Sequence, residues 1–220
     1  IGGGFSRYSV DKFWHVPHFE KMLYDNGQLL SLYAKAFKMS GNEHYASIIS
    51  QTIQWLVREM LDDSGGFYAA LDADSEGEEG KFYVWTFNEI KELAGEHSSL
   101  IAAYYDIREK GNWDSTNIPR ITRSEIDIAA QFELDIVTLR SIITQFKQRA
   151  LLKRAERIRP GRDNKIISGW NGLTLTGILE SYQATGKTDY LKLAKRNYRY
   201  ILKNLIINGT LIHIANLSTQ

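Results

Sequence analysis

Three short stretches concentrate the side chains able to carry chemistry. The first runs His15-Val16-Pro17-His18-Phe19-Glu20-Lys21-Met22-Leu23-Tyr24-Asp25-Asn26. The second supplies Asp72, Asp74, Glu76, Glu78 and Glu79, and the third Arg159, Arg162, Asp163, Lys165, Trp170 and Asn171. Carboxylates and amides hold hydroxyls, an indole or phenol ring covers the apolar face of a sugar, and an imidazole or carboxyl moves a proton. The combination suits a polyol or sugar pocket. In that reading His15 or His18 is the acid/base, and Asp25 and Asp72 anchor hydroxyls or carry protons. Trp113 and Trp170 are walls, Arg162 meets an anionic substituent, and Tyr24, Asn26, Asp74 and Asn171 complete the binding set.

Each group also has a plainer use. Asp25 and Asn26 suit the capping of a helix. His15, His18 and Glu20 hint at a metal, but Pro17 separates the histidines and no further ligand is placed, so a hydrogen-bonded pair serves as well and no metal or cofactor is expected. Asp72-x-Asp74-x-Glu76-Gly77 opens like a calcium loop. Its twelfth position is Tyr83 instead of Glu, so a solvated acidic turn is expected, with Asp72 and Asp74 pointing apart. Trp113 and Trp170 also suit a core, and Gly2-Gly3-Gly4 lacks the context of a phosphate loop and fits a turn or extended segment.

The elements that position these groups are legible from a self-match at an offset of 145 residues. Asn26-Gly27, Leu30, Gly41 and Tyr45 recur as Asn171-Gly172, Leu175, Gly186 and Tyr190. In each copy a glycine follows the Asn-Gly at the distance of one helix, as a C-cap would, and a second helix starts at once. Residues 29–39 are apolar nearly all round, which predicts a helix buried on most sides, whereas 43–60 and 188–205 are amphipathic. Each unit, about 25–60 and 171–205, is then an inner helix followed by an outer one. Their antiparallel run brings all three polar stretches to one end. The predicted fold is all-α, part of an α/α toroid with a short β-hairpin insertion; an ordinary helical bundle or solenoid is the alternative.

Between the copies, about 61–134, the pattern is irregular. Residues 65–71 and 81–85 read as two short strands joined by a long acidic loop. Thr86-x-x-Glu89 is a capping box, Ser98–Tyr104 and about Asp135–Arg157 read as helices, and the long loop 105–122 carries Asn112-Trp113-Asp114.

Composition narrows the partners. In 220 residues, 27 Lys and Arg stand against 26 Asp and Glu, a net charge of +1 with no long block of one sign, so nucleic acid and anionic membrane surfaces are not expected. There is no cysteine and no apolar run long enough to span a bilayer. A soluble, cytoplasmic protein is expected; the sequons at Asn208 and Asn216 matter only to a secreted chain, and no signal peptide is visible. The chain opens on Ile1 in mid-pattern and is expected to be a fragment of a longer protein.

His15 to Asn26, Gly2-Gly3-Gly4-Phe5-Ser6-Arg7-Tyr8-Ser9-Val10-Asp11 before it and Gly66-Phe67-Tyr68-Ala69-Ala70-Leu71-Asp72-Ala73-Asp74-Ser75-Glu76-Gly77 after it resemble the YyaL family, the spermatogenesis-associated protein 20-like proteins. Gly80-Lys81-Phe82-Tyr83-Val84-Trp85, Gly111-Asn112-Trp113, Arg159-Pro160 and Trp170-Asn171-Gly172-Leu173 extend the resemblance across the chain. It implies one toroid domain similar to N-acylglucosamine 2-epimerase and six-hairpin glycosidases, spanning 1–220. It also implies a thioredoxin-like domain elsewhere in the full-length chain and absent here. In related epimerases histidines act as acid and base; glycosidases of that fold use carboxylates. The implied function is a sugar epimerase, isomerase or glycosidase acting on a small carbohydrate; the alternative is a non-catalytic scaffold that binds a client for the thioredoxin-like domain.

Overall fold

The computed structural model describes residues 1–215, so the Asn216 sequon lies outside the described residues. The chain forms two compact units. One comprises Gly2–Arg7, Glu20–Ala73 and 161–215; the other comprises Ile1, Tyr8–Phe19 and Asp74–Pro160.

The first of these contains both sequence repeats. Helix α1, Leu23–Ser40, follows an extended Met22 and ends at Gly41, whose left-handed backbone (φ 65°) lets its N–H reach Phe37 O. Helix α7, Ser168–Thr185, follows an extended Ile167 and ends at Gly186 (φ 70°), bonded to Tyr182 O. Each is followed by an outer helix: α2, Glu43–Trp55, capped by Asn42 and continued by a π-helical turn Leu56–Met60, and α8, Thr188–Asn204. The inner helices α1 and α7 pack on one another, with α2 against α1 and α8 against α7. Leu23, Leu30, Ile49, Ile53, Met60, Phe67, Ile178 and Tyr190 fill the core between the layers. This is an arc of an α/α toroid.

Two devices set the arc. At the α1–α7 crossing a Cβ on Gly177 would lie 2.4 Å from Gly27 O, and one on Gly27 would lie 2.9 Å from Thr174 N, so the backbones meet where neither residue has a side chain. The second device is duplicated. Asn26 Oδ1 accepts from Phe5 N–H and its Nδ2 donates to Phe5 O and Met22 O. Asn171 does the same with Phe67 N–H, Phe67 O and Ile167 O. Each amide thus clamps an incoming extended segment to its own inner helix.

The expected burial order is reversed. Leu32 is 59% exposed and Met39 88%, while Ile49, Ile53, Trp55, Leu56 and Met60 in 43–60 are buried. An all-round apolar helix is covered only where a neighbour lies, and α1 is packed by α2 and α7 on the flank opposite Leu32 and Met39. The strand expectation also changes. β2, Ala70–Leu71, lies between β1, Lys21–Met22, and β5, Arg162–Asp163, with Lys21 opposite Leu71 and Ala70 opposite Asp163. It does not pair with 81–85, because the acidic loop closes on itself: β3, Asp74–Ser75, pairs with β4, Glu78–Glu79. A last hairpin joins β6, Ile206–Ile207, to β7, Thr210–Leu211.

The other unit holds β3, β4 and four further helices. Helix α3, Phe87–Ala94, has the Thr86–Glu89 capping box, and α4 is Ser98–Tyr104. Helix α5, Glu125–Gln131, begins at a Ser124 cap and was not legible in the pattern; α6, Ile136–Ala155, is capped by Asp135. Trp85, Ile90, Ile101, Tyr105, Ile128, Leu139 and Phe146 form its core.

The glycine contact separates two substitutions of the same kind. Gly177→Ala drives a methyl into backbone and is expected to cost about 2 kcal/mol or more. Gly172→Ala meets nothing within 4 Å and is expected to leave stability unchanged or raise it by up to ~1 kcal/mol. Urea unfolding of both variants checks this. Asn171→Ala strands the N–H and C=O of Phe67 and is expected to cost roughly 3 kcal/mol in the same measurement.

Candidate functional site

In the unit built on α1 and α7, the first turn of α1 presents Tyr24 and Asp25. A helix N-terminus favours an ionised carboxylate, yet burial pushes the Asp25 carboxyl above its ordinary range, with Glu20 adding to the rise and Arg7 opposing it. Asp25 Oδ2 is buried without a hydrogen-bond partner. Arg7 donates to Glu20 Oε2 at 3.2 Å, and its cation is favoured by Glu20 first and then by Tyr24. The Tyr24 ring meets the edge of Trp170 at 4.8 Å. Asp25, Tyr24 and Trp170 were legible as candidates; Arg7 was not, because it precedes the helix by sixteen residues and follows the N-terminal segment that Asn26 clamps at Phe5.

Other expected members of this unit are committed elsewhere. Asn26 and Asn171 are fully buried, with oxygen and nitrogen both spent on the clamps, and Asn171 also accepts from Asn197. In this structure they hold the fold. The Arg162 guanidinium stacks 4.0 Å over Tyr68 and donates to Glu59 O at 3.1 Å and Asn164 Oδ1 at 2.7 Å, so it braces the wall instead of standing free for an anion. Asp72 is exposed, its N–H bonded to Gly161 O at 2.8 Å.

His15, His18, Asp74 and Trp113 belong to the other unit. His15 Nε2–H donates to Asn112 O at 3.1 Å, which leaves Nδ1 as the ring's acceptor, buried and without a hydrogen-bond partner. Asp11 shapes this loop by accepting from the N–H groups of Phe13, His15 and Val16 at 2.8–2.9 Å. The His18 ring stacks on Tyr8 at 4.7 Å. Trp113 leans on Phe19 at 5.6 Å and lines a cavity of about 860 Å³ together with Glu76, Glu79, Lys81, Asp114 and Arg157. Both wall cations are committed: Lys81 to Glu78 at 3.1 Å and Glu76 at 3.5 Å, Arg157 to Glu89 at 2.8 Å and to the carbonyls of Phe82 and Val84. The cavity therefore offers an anionic ligand no uncommitted cation among its lining residues. Asp74 is exposed, opposite Glu79 in the acidic hairpin.

Spermatogenesis-associated protein 20 of Homo sapiens is 32% identical to the chain, over 93% of this chain and 29% of its own length. An uncharacterized protein of Caenorhabditis elegans is 35% identical, over 96% and 32%. The chain is a homologue of spermatogenesis-associated protein 20. It spans about three-tenths of the length of the curated relatives it matches. No family profile matches. Among solved structures the chain is similar to a D-mannose isomerase, 15% identical with a TM-score of 0.32 over 91% of this chain and 45% of that one.

Two pH responses of opposite sign follow. The raised Asp25 value means that the folded state prefers the protonated form, so its contribution is present below the ordinary 3.8 and lost as pH rises through the folded value. Asp25→Asn is expected to raise the melting temperature at neutral pH and to lose that advantage below 3.8; melting curves across pH check it. Asp11 is held down to about 2, the Val16 N–H contributing most, so its loop keeps its stability above 3.8 and loosens as pH falls toward 2. The His15 and Val16 amide resonances are expected to shift with a midpoint near the lower value.

Proposed function

We propose that this protein is a carbohydrate-active domain of epimerase, isomerase or glycosidase type, in which Asp25 transfers the proton and Tyr24 and Trp170 cover the apolar face of a small sugar. The observation that carries the reading is the Asp25 carboxyl: raised by burial, with one oxygen unspent, and next to an arginine–carboxylate pair and an aromatic edge. A carboxyl raised in this way can donate a proton at a pH where an ordinary aspartate is already ionised. Arg7 then stabilises the carboxylate left behind. Asp72 belongs to the same proposal as a binding group; in the other unit, taken by itself, His15 is proposed as an acid/base and His18, Asp74 and Trp113 as binding groups. The fuller reading places the domain in the cytoplasm, beside a thioredoxin-like domain of the same full-length chain.

The test uses full-length protein and a panel of mono- and disaccharides, with melting temperature and solvent deuterium incorporation beside the sugar carbonyl as readouts. A bound sugar is expected to raise the melting temperature by mass action. Asp25→Asn is expected to keep that rise and lose roughly a hundredfold or more in exchange or hydrolysis. Trp170→Ala is expected to weaken binding about tenfold, the worth of one stacked ring. Absence of any sugar response in folded protein supports the client-binding scaffold instead, and an Asp25→Asn variant with unchanged turnover removes Asp25 from the chemistry.

A further inference from the structure

The sequence holds three Asn-Gly pairs, Asn26-Gly27, Asn171-Gly172 and Asn208-Gly209. An Asn-Gly peptide is chemically labile, because the glycine nitrogen, unhindered by a Cβ, can attack the asparagine side chain. The fold treats the three differently. Asn26 and Asn171 lie inside α1 and α7, fully buried, with both side-chain atoms hydrogen-bonded. Asn208 and Gly209 form the tip of the β6–β7 hairpin, with φ 51° and 76°. Residues 206–211 are exposed throughout, and the Asn208 side chain makes no hydrogen bond among the described residues. Each strand is only two residues long, and a ladder that short opens at little cost.

We infer that Asn208 is a site of spontaneous covalent modification, in which the exposed turn converts to aspartate and isoaspartate while the two chemically identical helical pairs are preserved. Hydroxide takes the Gly209 amide proton and the nitrogen attacks Asn208 Cγ. The N–Cγ bond forms, the Cγ–Nδ2 bond breaks and the nitrogen leaves as ammonia. Water then opens the resulting succinimide at either carbonyl. No oxidant or reductant is involved. The isoaspartyl product carries an extra negative charge and an added backbone methylene just before a segment that supports α7: Ile212 N–H bonds to Leu205 O, Ser168 N–H to His213 O and Ala215 N–H to Ile166 O. Modification at the tip therefore loosens the start of the helix that carries Trp170.

The experiment ages native protein at mildly alkaline pH and follows the three peptides by mass spectrometry, with an isoaspartate-specific methylation assay and a parallel sample in denaturant. Asn208 is expected to convert at least about ten times faster than Asn26 or Asn171 in the native sample, since those two require a larger opening. The three are expected to react at similar rates once unfolded. In the aged fraction, hydrogen exchange at Ser168 and Ala215 is expected to rise, and Asn208→Ser protein aged alongside is expected to show neither change. Equal native rates at the three sites, or an Asn208 that stays intact while the unfolded chain converts, would overturn the assignment. Modification without faster exchange at Ser168 would overturn the coupling to α7.

Discussion

The structure depends on how closely two helical backbones can approach. Gly177 faces Gly27 O across a gap that a single Cβ would close to 2.4 Å, so α1 and α7 meet without intervening side chains. That approach brings the helix N-terminal turns of the two repeats together and sets Tyr24 against the edge of Trp170 at 4.8 Å. A wider crossing would separate the aromatic pair and open the core around Leu30 and Ile178. Van der Waals attraction fades over fractions of an ångström, so a glycine at the crossing does more for packing than a larger apolar residue would.

The paired asparagines convert this contact into a site. A buried amide with all its bonds made to backbone is rigid, because any displacement leaves polar groups unsatisfied. Asn26 holds the segment that brings Arg7 to the first turn of α1, and Asn171 holds Phe67 against α7. Both asparagines, expected as binding groups, have their amides bonded to backbone and so brace the segments beside Tyr24, Asp25 and Trp170. Among the candidate groups, Asp25 Oδ2 and His15 Nδ1 are buried atoms that make no hydrogen bond.

Electrostatics in the two units share one feature. Cations near the candidate groups are already engaged: Arg7 with Glu20, Arg162 with Tyr68 and Glu59 O, Lys81 with Glu76 and Glu78, Arg157 with Glu89. A guanidinium with its donors on protein acceptors costs desolvation to redirect toward an anion. The arrangement disfavours anionic ligands, and in the unit built on α1 and α7 burial leaves the Asp25 carboxyl raised above its ordinary range.

Much of the fold was legible from local physics. The glycine caps at Gly41 and Gly186 and the Thr86–Glu89 box each depend on residues within about one turn of a helix, and the 145-residue repeat is a match of residue types alone, so all read correctly without coordinates. Helix α5 escaped because seven residues carry too little periodicity. The partner of β2 escaped for another reason: a two-residue strand has no register of its own, and β1 and β5, distant in sequence, claimed it. Apolar composition states what α1 can bury, while its neighbours decide what it does bury, so Leu32 and Met39 lie exposed. At the site, residue types sufficed to nominate Asp25, Tyr24 and Trp170. Whether an asparagine clamps backbone or meets a ligand, and whether an arginine is free or committed, was settled by tertiary contacts between residues up to 104 positions apart, because hydrogen-bond satisfaction is a property of the folded neighbourhood and is not encoded in local spacing.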